Sequence, residues 1–281
     1  MIEDRDYMRE PEEYGSRRFG VPWSSLTVKF LIAYATVFLL ELFLDAAAPA
    51  NAQLFRDLCA LSNYGLMHGY VWQFVTYQFM HAGFLHLLFN GWAIYSFGLA
   101  LESQLGQKRF GALMLSSGII GGVLQSIAAF LWPQYFGGPV VGASACAFGL
   151  VAAFALLHPD MKLQLLIFFV IPVTLTARML FIVSGVIALI GFGLHRDNVA
   201  HAAHLGGLAA GWLYGRMIVS RSRRAVSYEE TDPTQKFPGE AQFTASEVDA
   251  VLDKISASGI KSLTAKERAI LESARKKMSR S

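Results

Sequence analysis

Ser144-Ala-Cys-Ala-Phe-Gly-Leu-Val-Ala-Ala-Phe-Ala-Leu-Leu157 is apolar throughout except for its first residue. A helix needs roughly 20 mainly apolar residues to cross the hydrocarbon of a bilayer, and this run is shorter. Its first residue, Ser144, is therefore expected below the membrane surface. The stretch before it, Phe136-Gly-Gly-Pro-Val-Val-Gly-Ala143, is loop-like and has to dip inward to meet it. Non-helical backbone at that depth is tolerated only where it is buried in protein or lines a cavity. The run thus predicts an all-α polytopic membrane protein in which a serine is sunk among helices.

Working outward, five further segments read as spans: Leu26 to Ala47, Phe84 to Leu101, Phe110 to Leu131, Ala177 to Leu194 and Ala200 to Val219. Composition agrees. Of 281 residues 54% are hydrophobic and only 16% charged, with mean hydropathy +0.40, whereas a soluble domain carries about 25% charged residues. The net charge of +3 is too small to point to nucleic acid, and its clustering speaks to topology. Arg17, Arg18 and Lys29 flank the first span. Lys108 and Arg109 lie between the second and third, Lys162 and Arg178 between the fourth and fifth, and Arg216, Arg221, Arg223 and Arg224 at or beyond the end of the sixth. The other side has only Arg56 and Arg196. Both termini are therefore expected in the cytoplasm, with the long connection from Pro49 to Ala82 outside. The acidic, polar start carries no signal-peptide pattern, and Cys59 and Cys146 form no disulfide framework or metal motif. The expected organisation is a cytoplasmic N-terminal segment over 1–25, a membrane domain over 26–220, a linker over 221–243 and a cytoplasmic helical hairpin over 244–281. In that tail Thr244-Ala-Ser-Glu247 and Thr264-Ala-Lys-Glu267 read as capping boxes. Its small core calls for docking or a partner, whose identity the tail does not name.

Polar groups inside the spans carry the chemistry. Ser144 opens a helix after Gly142-Ala143, where unpaired N–H groups and the positive end of the helix dipole converge on an oxyanion. Read alone, it is more simply an ordinary serine N-cap. His204 shares a helix face with Gly207, Gly211 and Gly215, and small residues let membrane helices approach closely. The fourth span answers with Ala145, Gly149 and Ala152. Such packing would bring His204 to Ser144 as its base; otherwise His204 is a structural hydrogen-bonder. His86 and Asn90, at i and i+4, can donate to a developing negative charge or glue helices together. Glu41, Asp45, Glu102 and Asp197 all lie where none can orient His204, which leaves a dyad. Phe148, one turn beyond Ser144, is placed either to stack on the imidazole or to fill the core. His81 and His201 flank these groups, and His68, His158 and His195 read as loop or interface residues. No HExxH spacing is present, so no metal or cofactor is expected.

Taken in order, His81-Ala-Gly-Phe-Leu-His86-Leu-Leu-Phe-Asn90, Gly142-Ala-Ser-Ala145 and Ala203-His-Leu-Gly-Gly207 resemble the three motifs of the rhomboid family of intramembrane serine proteases, over about Leu26 to Val219. The resemblance implies a six-helix rhomboid-like bundle with Ser144 as nucleophile and His204 as general base. It implies an oxyanion hole from His86, Asn90 and the Ser144 N–H. Phe148 supports the histidine, and Gly142 and Gly207 allow close approach. It also implies transmembrane protein substrates cut near the outer face, in a bacterial plasma membrane, with the lipid bilayer as solvent and no cofactor. The alternative is a silent, client-binding relative; a transporter would show repeats that this chain lacks. Two positions depart from the pattern: Ala145 follows the serine where glycine is frequent, and Trp72-Gln73 stands where many members have Trp-Arg.

Overall fold

The computed structural model describes residues 23–167, 171–194, 199–231, 245–259, 262–264, 266–268, 270–271 and 274. The expectations for Arg17, Arg18, His195, Arg196, Asp197 and Thr244 lie outside the described residues. The chain divides into two compact units, Met1–Arg223 and Arg224–Ser281.

In the first unit α1 (Leu26–Ala47) starts at Ser25, whose hydroxyl accepts the Val28 N–H at 3.4 Å. Glu102, near the end of α5 (Phe84–Leu105), caps the same start. Its carboxylate accepts from Ser25 Oγ at 2.6 Å, Thr27 Oγ1 at 2.7 Å, and the N–H groups of Leu26 and Thr27 at 2.7 and 2.8 Å. A negative charge at a helix N-terminus satisfies orphan donors and complements the dipole. Glycine at position 98 permits the crossing, because a Cβ there would stand 2.8 Å from Thr27 Cγ2.

Between α1 and α5 lie α2 (Pro49–Cys59), α3 (Asn63–Met67), α4 (Gln73–Thr76) and a 3-10 turn over Tyr77–Phe79. Gln73, at the position that departs from the family pattern, is fully buried. Its Oε1 accepts the Ser62 N–H at 3.1 Å and its Nε2 donates to the Asp57 carbonyl at 2.9 Å. One neutral amide, donor and acceptor at once, anchors this connection.

α5 and α6 (Gln107–Leu131) run beyond the purely apolar stretches, because the polar residues at their junction stay helical. Gly106 alone separates them, at φ +74°, a left-handed conformation that glycine adopts without penalty. After α7 (Pro133–Phe136) comes α8 (Ser144–Leu157), with the bounds expected. It packs against α5, α6 and α9 (Ala177–Leu194), and its Leu150 joins Ile94, Leu101, Phe110 and Leu113 in the core. Helices α1, α5, α6 and α9 are each long and apolar enough to cross a membrane. The chain is a mostly helical polytopic membrane protein.

α10 (His201–Thr231) completes the packing through glycine. A Cβ at Gly211 would stand 2.6 Å from Gly149 Cα, and one at Gly206 would stand 2.8 Å from Gly121 Cα. Backbone therefore meets backbone on both α8 and α6, as small residues allow. Gly215 faces Ala153 and Leu156, where the expected partner was Ala152. The reason is register: a row of glycines spaced by four matches the row Ala145, Gly149, Ala153, also spaced by four.

Two elements depart from expectation. An antiparallel hairpin, β1 (Lys162–Ile167) and β2 (Ile171–Thr176), connects α8 to α9, paired from Lys162↔Thr176 to Ile167↔Ile171. And α10 continues past Ser220, through part of the expected linker, to Thr231. That stretch contains good helix formers and lacks proline before Pro233.

In the second unit α11 (Ala245–Ser258) ends at Gly259, φ +76°. Val251, Leu263 and Ile270 form its small core. The second capping box is made: the Thr264 N–H donates to Glu267 at 2.7 Å and the Glu267 N–H to Thr264 Oγ1 at 3.4 Å.

Candidate active site

Ser144 is the first residue of α8, and Ala143 occupies the N-cap position. The serine hydroxyl is thus turned away from capping. Its Oγ lies 2.8 Å from Nε2 of His204, across 60 residues of chain. With the Nδ1–H tautomer, Nε2 accepts the hydroxyl proton. The His204 ring lies flat on Phe148, with centroids 4.2 Å apart and planes 9° apart. Gly207, one turn beyond His204, sits against the Ala145 carbonyl, so the α8–α10 seam sets the spacing of the pair.

His86 and Asn90 share a face of α5 and line, with Ser144, Phe148 and His204, one cavity of about 690 Å³. Asn90 is buried, and its Nδ2 donates to no protein acceptor among the described residues. Gly142 brings the loop against these groups. Its φ is +128°, and a Cβ there would stand 2.6 Å from His86 Cε1 and 3.6 Å from Asn90 Nδ2.

The loop keeps its backbone paired while dipping inward. Gly142 N–H donates to the Tyr77 carbonyl at 2.9 Å, and Leu61 and Val140 exchange N–H···O bonds at 3.0 and 2.8 Å. Tyr77 in turn donates its hydroxyl to the Gly118 carbonyl on α6 at 2.7 Å. Val140 and Val141, both half-buried, line the cavity, where non-helical backbone at membrane depth is tolerated.

The acidic residues have other tasks. Glu41 accepts the His81 N–H at 3.3 Å, Asp45 pairs with Arg56 at 2.7 Å, and Glu102 caps α1. His81 is buried edge-on to Tyr34 and to His86, at 5.6 and 5.2 Å. Burial pulls its pKa down to about 4, with His86 adding to the effect and the Phe79 carbonyl opposing it. His81 is therefore a neutral imidazole near neutral pH. His201 stands edge-on to His204 at 5.9 Å and packs against Gly191 of α9. His68 and His158 bond elsewhere, to the Tyr64 carbonyl at 2.8 Å and Gln104 at 3.0 Å.

Gln125 belongs to the site and was missed in the sequence. It is buried on α6, lines the cavity and accepts the Ala203 N–H at 3.3 Å, beside His204. The available signal was an amide in the middle of an apolar span, which in a membrane marks a functional position.

Comparison with known proteins agrees with this architecture. Residues 68–221 match the Rhomboid domain family, and residues 236–277 match a family of unknown function, DUF6576. The rhomboid protein YdcA of Bacillus subtilis is 32% identical over 209 residues, covering 70% of this chain and 90% of the relative. Rhomboid protein 1 of Saccharomyces cerevisiae mitochondria is 36% identical over 140 residues, 50% of this chain and 40% of the relative. Rhomboid protease GluP of Bacillus subtilis is 32% identical over 178 residues, 62% of this chain and 31% of the relative. The family match covers more than half of the sequence and contains all three polar motifs, and the chain belongs to the rhomboid family.

Proposed function

We propose that this protein is an intramembrane serine endopeptidase that cuts transmembrane proteins through a Ser144–His204 dyad. The observation that carries the reading is the 2.8 Å contact between Ser144 Oγ and His204 Nε2, made inside a cavity that His86 and Asn90 also line. Relatives named as proteases support the same activity.

In the first step Ser144 Oγ bonds to the scissile carbonyl carbon while its proton passes to His204 Nε2. The carbonyl oxygen becomes an oxyanion, and His86, Asn90 Nδ2 and the Ser144 N–H donate to it. Asn90 suits this role because its buried donor makes no bond to the described protein. The C–N bond then breaks, the amine leaves with the proton from His204, and an ester remains on Ser144. Water attacks the ester carbon as His204 takes its proton, the C–Oγ bond breaks, and His204 returns the proton to Ser144 Oγ as the acid leaves. Phe148, stacked on the face of the imidazole, holds the ring plane throughout. A client helix must unwind to present its carbonyl, so small or helix-breaking residues are expected at its cleavage site.

On this reading α8 and α10 join α1, α5, α6 and α9 as a six-helix core. The Lys/Arg asymmetry supports a topology with both termini in the cytoplasm and the cavity open toward the outer face, and the family resemblance suggests a bacterial plasma membrane. A client-binding role without catalysis has no use for an aligned serine and imidazole. Labelling of the detergent-solubilised protein with a fluorophosphonate tests the dyad. Wild type labels, Ser144→Ala does not, and His204→Ala labels far more slowly. Client cleavage that persists in both variants would remove the dyad.

A further inference from the structure

A second cavity, of about 1060 Å³, adjoins the catalytic one. It lies between the end of α1, α2 and the start of α5, and the two cavities have Ala82, Pro139 and Val141 as common walls. Its lining carries three carboxylates, Glu41, Asp45 and Asp57, against one guanidinium, Arg56. Arg56 pairs with Asp45 at 2.7 Å, and among the described residues Asp57 takes a neutral hydrogen bond from Gln53 at 2.7 Å and no cation. Carboxylates therefore exceed cations by two. Glu41 is half-buried and meets a single N–H, at 3.3 Å.

His81 supplies an independent observation. Its side chain lines this cavity and is only 4% exposed, yet among the described residues neither ring nitrogen makes a hydrogen bond of good geometry. Buried polar groups are normally paired, and an orphan facing a cavity marks where a ligand completes the set. As a neutral imidazole, His81 offers one acceptor nitrogen and one donor. Its ring also touches His86, which lines the catalytic cavity, so the two spaces meet at this histidine pair.

We infer that the second cavity is a subsite for a basic side chain of the client, a lysine or arginine near the scissile bond, held by the Glu41 carboxylate and the His81 imidazole. The inference rests on the protease reading above. A cation satisfies the carboxylate excess, and its N–H groups satisfy the acceptor nitrogen of His81. The common wall lets one bound strand serve both cavities. Extended chain advances about 3.3 Å per residue and turns alternate side chains to opposite sides. One client position, and not its neighbours, should therefore feed the subsite.

The test uses the purified full-length protein and a set of transmembrane peptide clients. Lysine, leucine or glutamate is placed in turn at each position around the scissile bond. At one position the lysine client should show kcat/KM about tenfold above the leucine client, with glutamate below both. In Glu41→Gln that lysine-to-leucine ratio should fall to near unity. Because the ratio is taken within one variant, partial misfolding lowers both members and leaves it unmoved. A wild-type ratio near unity at every position, or a preference that survives in Glu41→Gln, overturns the subsite. Ser144-dependent cleavage with a flat scan removes the subsite alone; no Ser144-dependent cleavage of any client removes the protease reading as well.

Discussion

Replacing Phe148 by alanine removes the ring on which His204 lies flat, 4.2 Å between centroids and 9° between planes. In the resting state the stacked pair contributes about 0.5–1.5 kcal/mol beyond its buried area. During attack His204 becomes an imidazolium, and the ring face then stabilises a cation by about 2 kcal/mol in a desolvated site. Only the second contribution is absent from the resting state, so losing the ring raises the barrier by about 2 kcal/mol. At about 1.36 kcal/mol per tenfold, kcat should fall roughly 30-fold. Phe148→Leu fills the space without a quadrupole and should lose most of this, whereas Phe148→Tyr should keep it. The assay is kcat and KM on a fluorogenic transmembrane peptide in micelles, with thermal unfolding of each variant as the check on the fold. Activity of Phe148→Ala within about threefold of wild type would refute the argument that stacking stabilises the imidazolium.

Gly142→Ala must place a Cβ at φ +128° and 2.6 Å from the His86 ring. It is expected to lower kcat by about 100-fold through the oxyanion site, and near-wild-type kcat would show that the loop yields. Glu102→Ala strands donors from Ser25, Leu26 and Thr27, at about 1–3 kcal/mol for each buried orphan. Thermal unfolding should show a large loss, with Glu102→Gln intermediate. In the tail, the Lys254 hydrogen bond first, then the Thr264 N–H and hydroxyl, hold the Glu267 carboxyl down to about 2 from its ordinary 4.5. A lowered folded-state pKa stabilises above the unfolded value, so the stabilisation is complete above pH 4.5 and is lost as pH falls toward about 2. Hydrogen exchange of α11 across that window checks it, and Lys254→Met should shrink the effect.

Much of the site was legible because the bilayer makes polar residues conspicuous. Ser144, His204, His86 and Asn90 each stand out where apolar side chains are the rule, and the short run after Ser144 announced its own depth. Glycine spacing indicated which faces meet, but not the register that chooses Ala153 over Ala152. Position 73 illustrates a different limit. A departure from the Trp-Arg pattern is visible in the chain, but the structure is needed to see that an amide bonding Ser62 and Asp57 anchors the loop. The β-hairpin was hidden because Leu163–Ile167, apolar except for Gln164, is too short for its pattern to separate strand from helix. Gln125 went unread because its role depends on the Ala203 N–H, a contact between residues 78 apart.

The distribution of the dyad over α8 and α10 also bears on how the protein is made. The nucleophile leaves the ribosome 60 residues before its base. At about 5–20 residues per second, that interval is roughly 3–12 s. During it a nascent chain carries Ser144 without the imidazole that arms it, and without the glycine seam that positions the imidazole. On the proposed mechanism, reactivity would arise only once α10 has inserted and docked. On that reading a half-made chain would be harmless to neighbouring nascent helices, and biosynthetic order would do the work that a removable pro-segment does in secreted proteases.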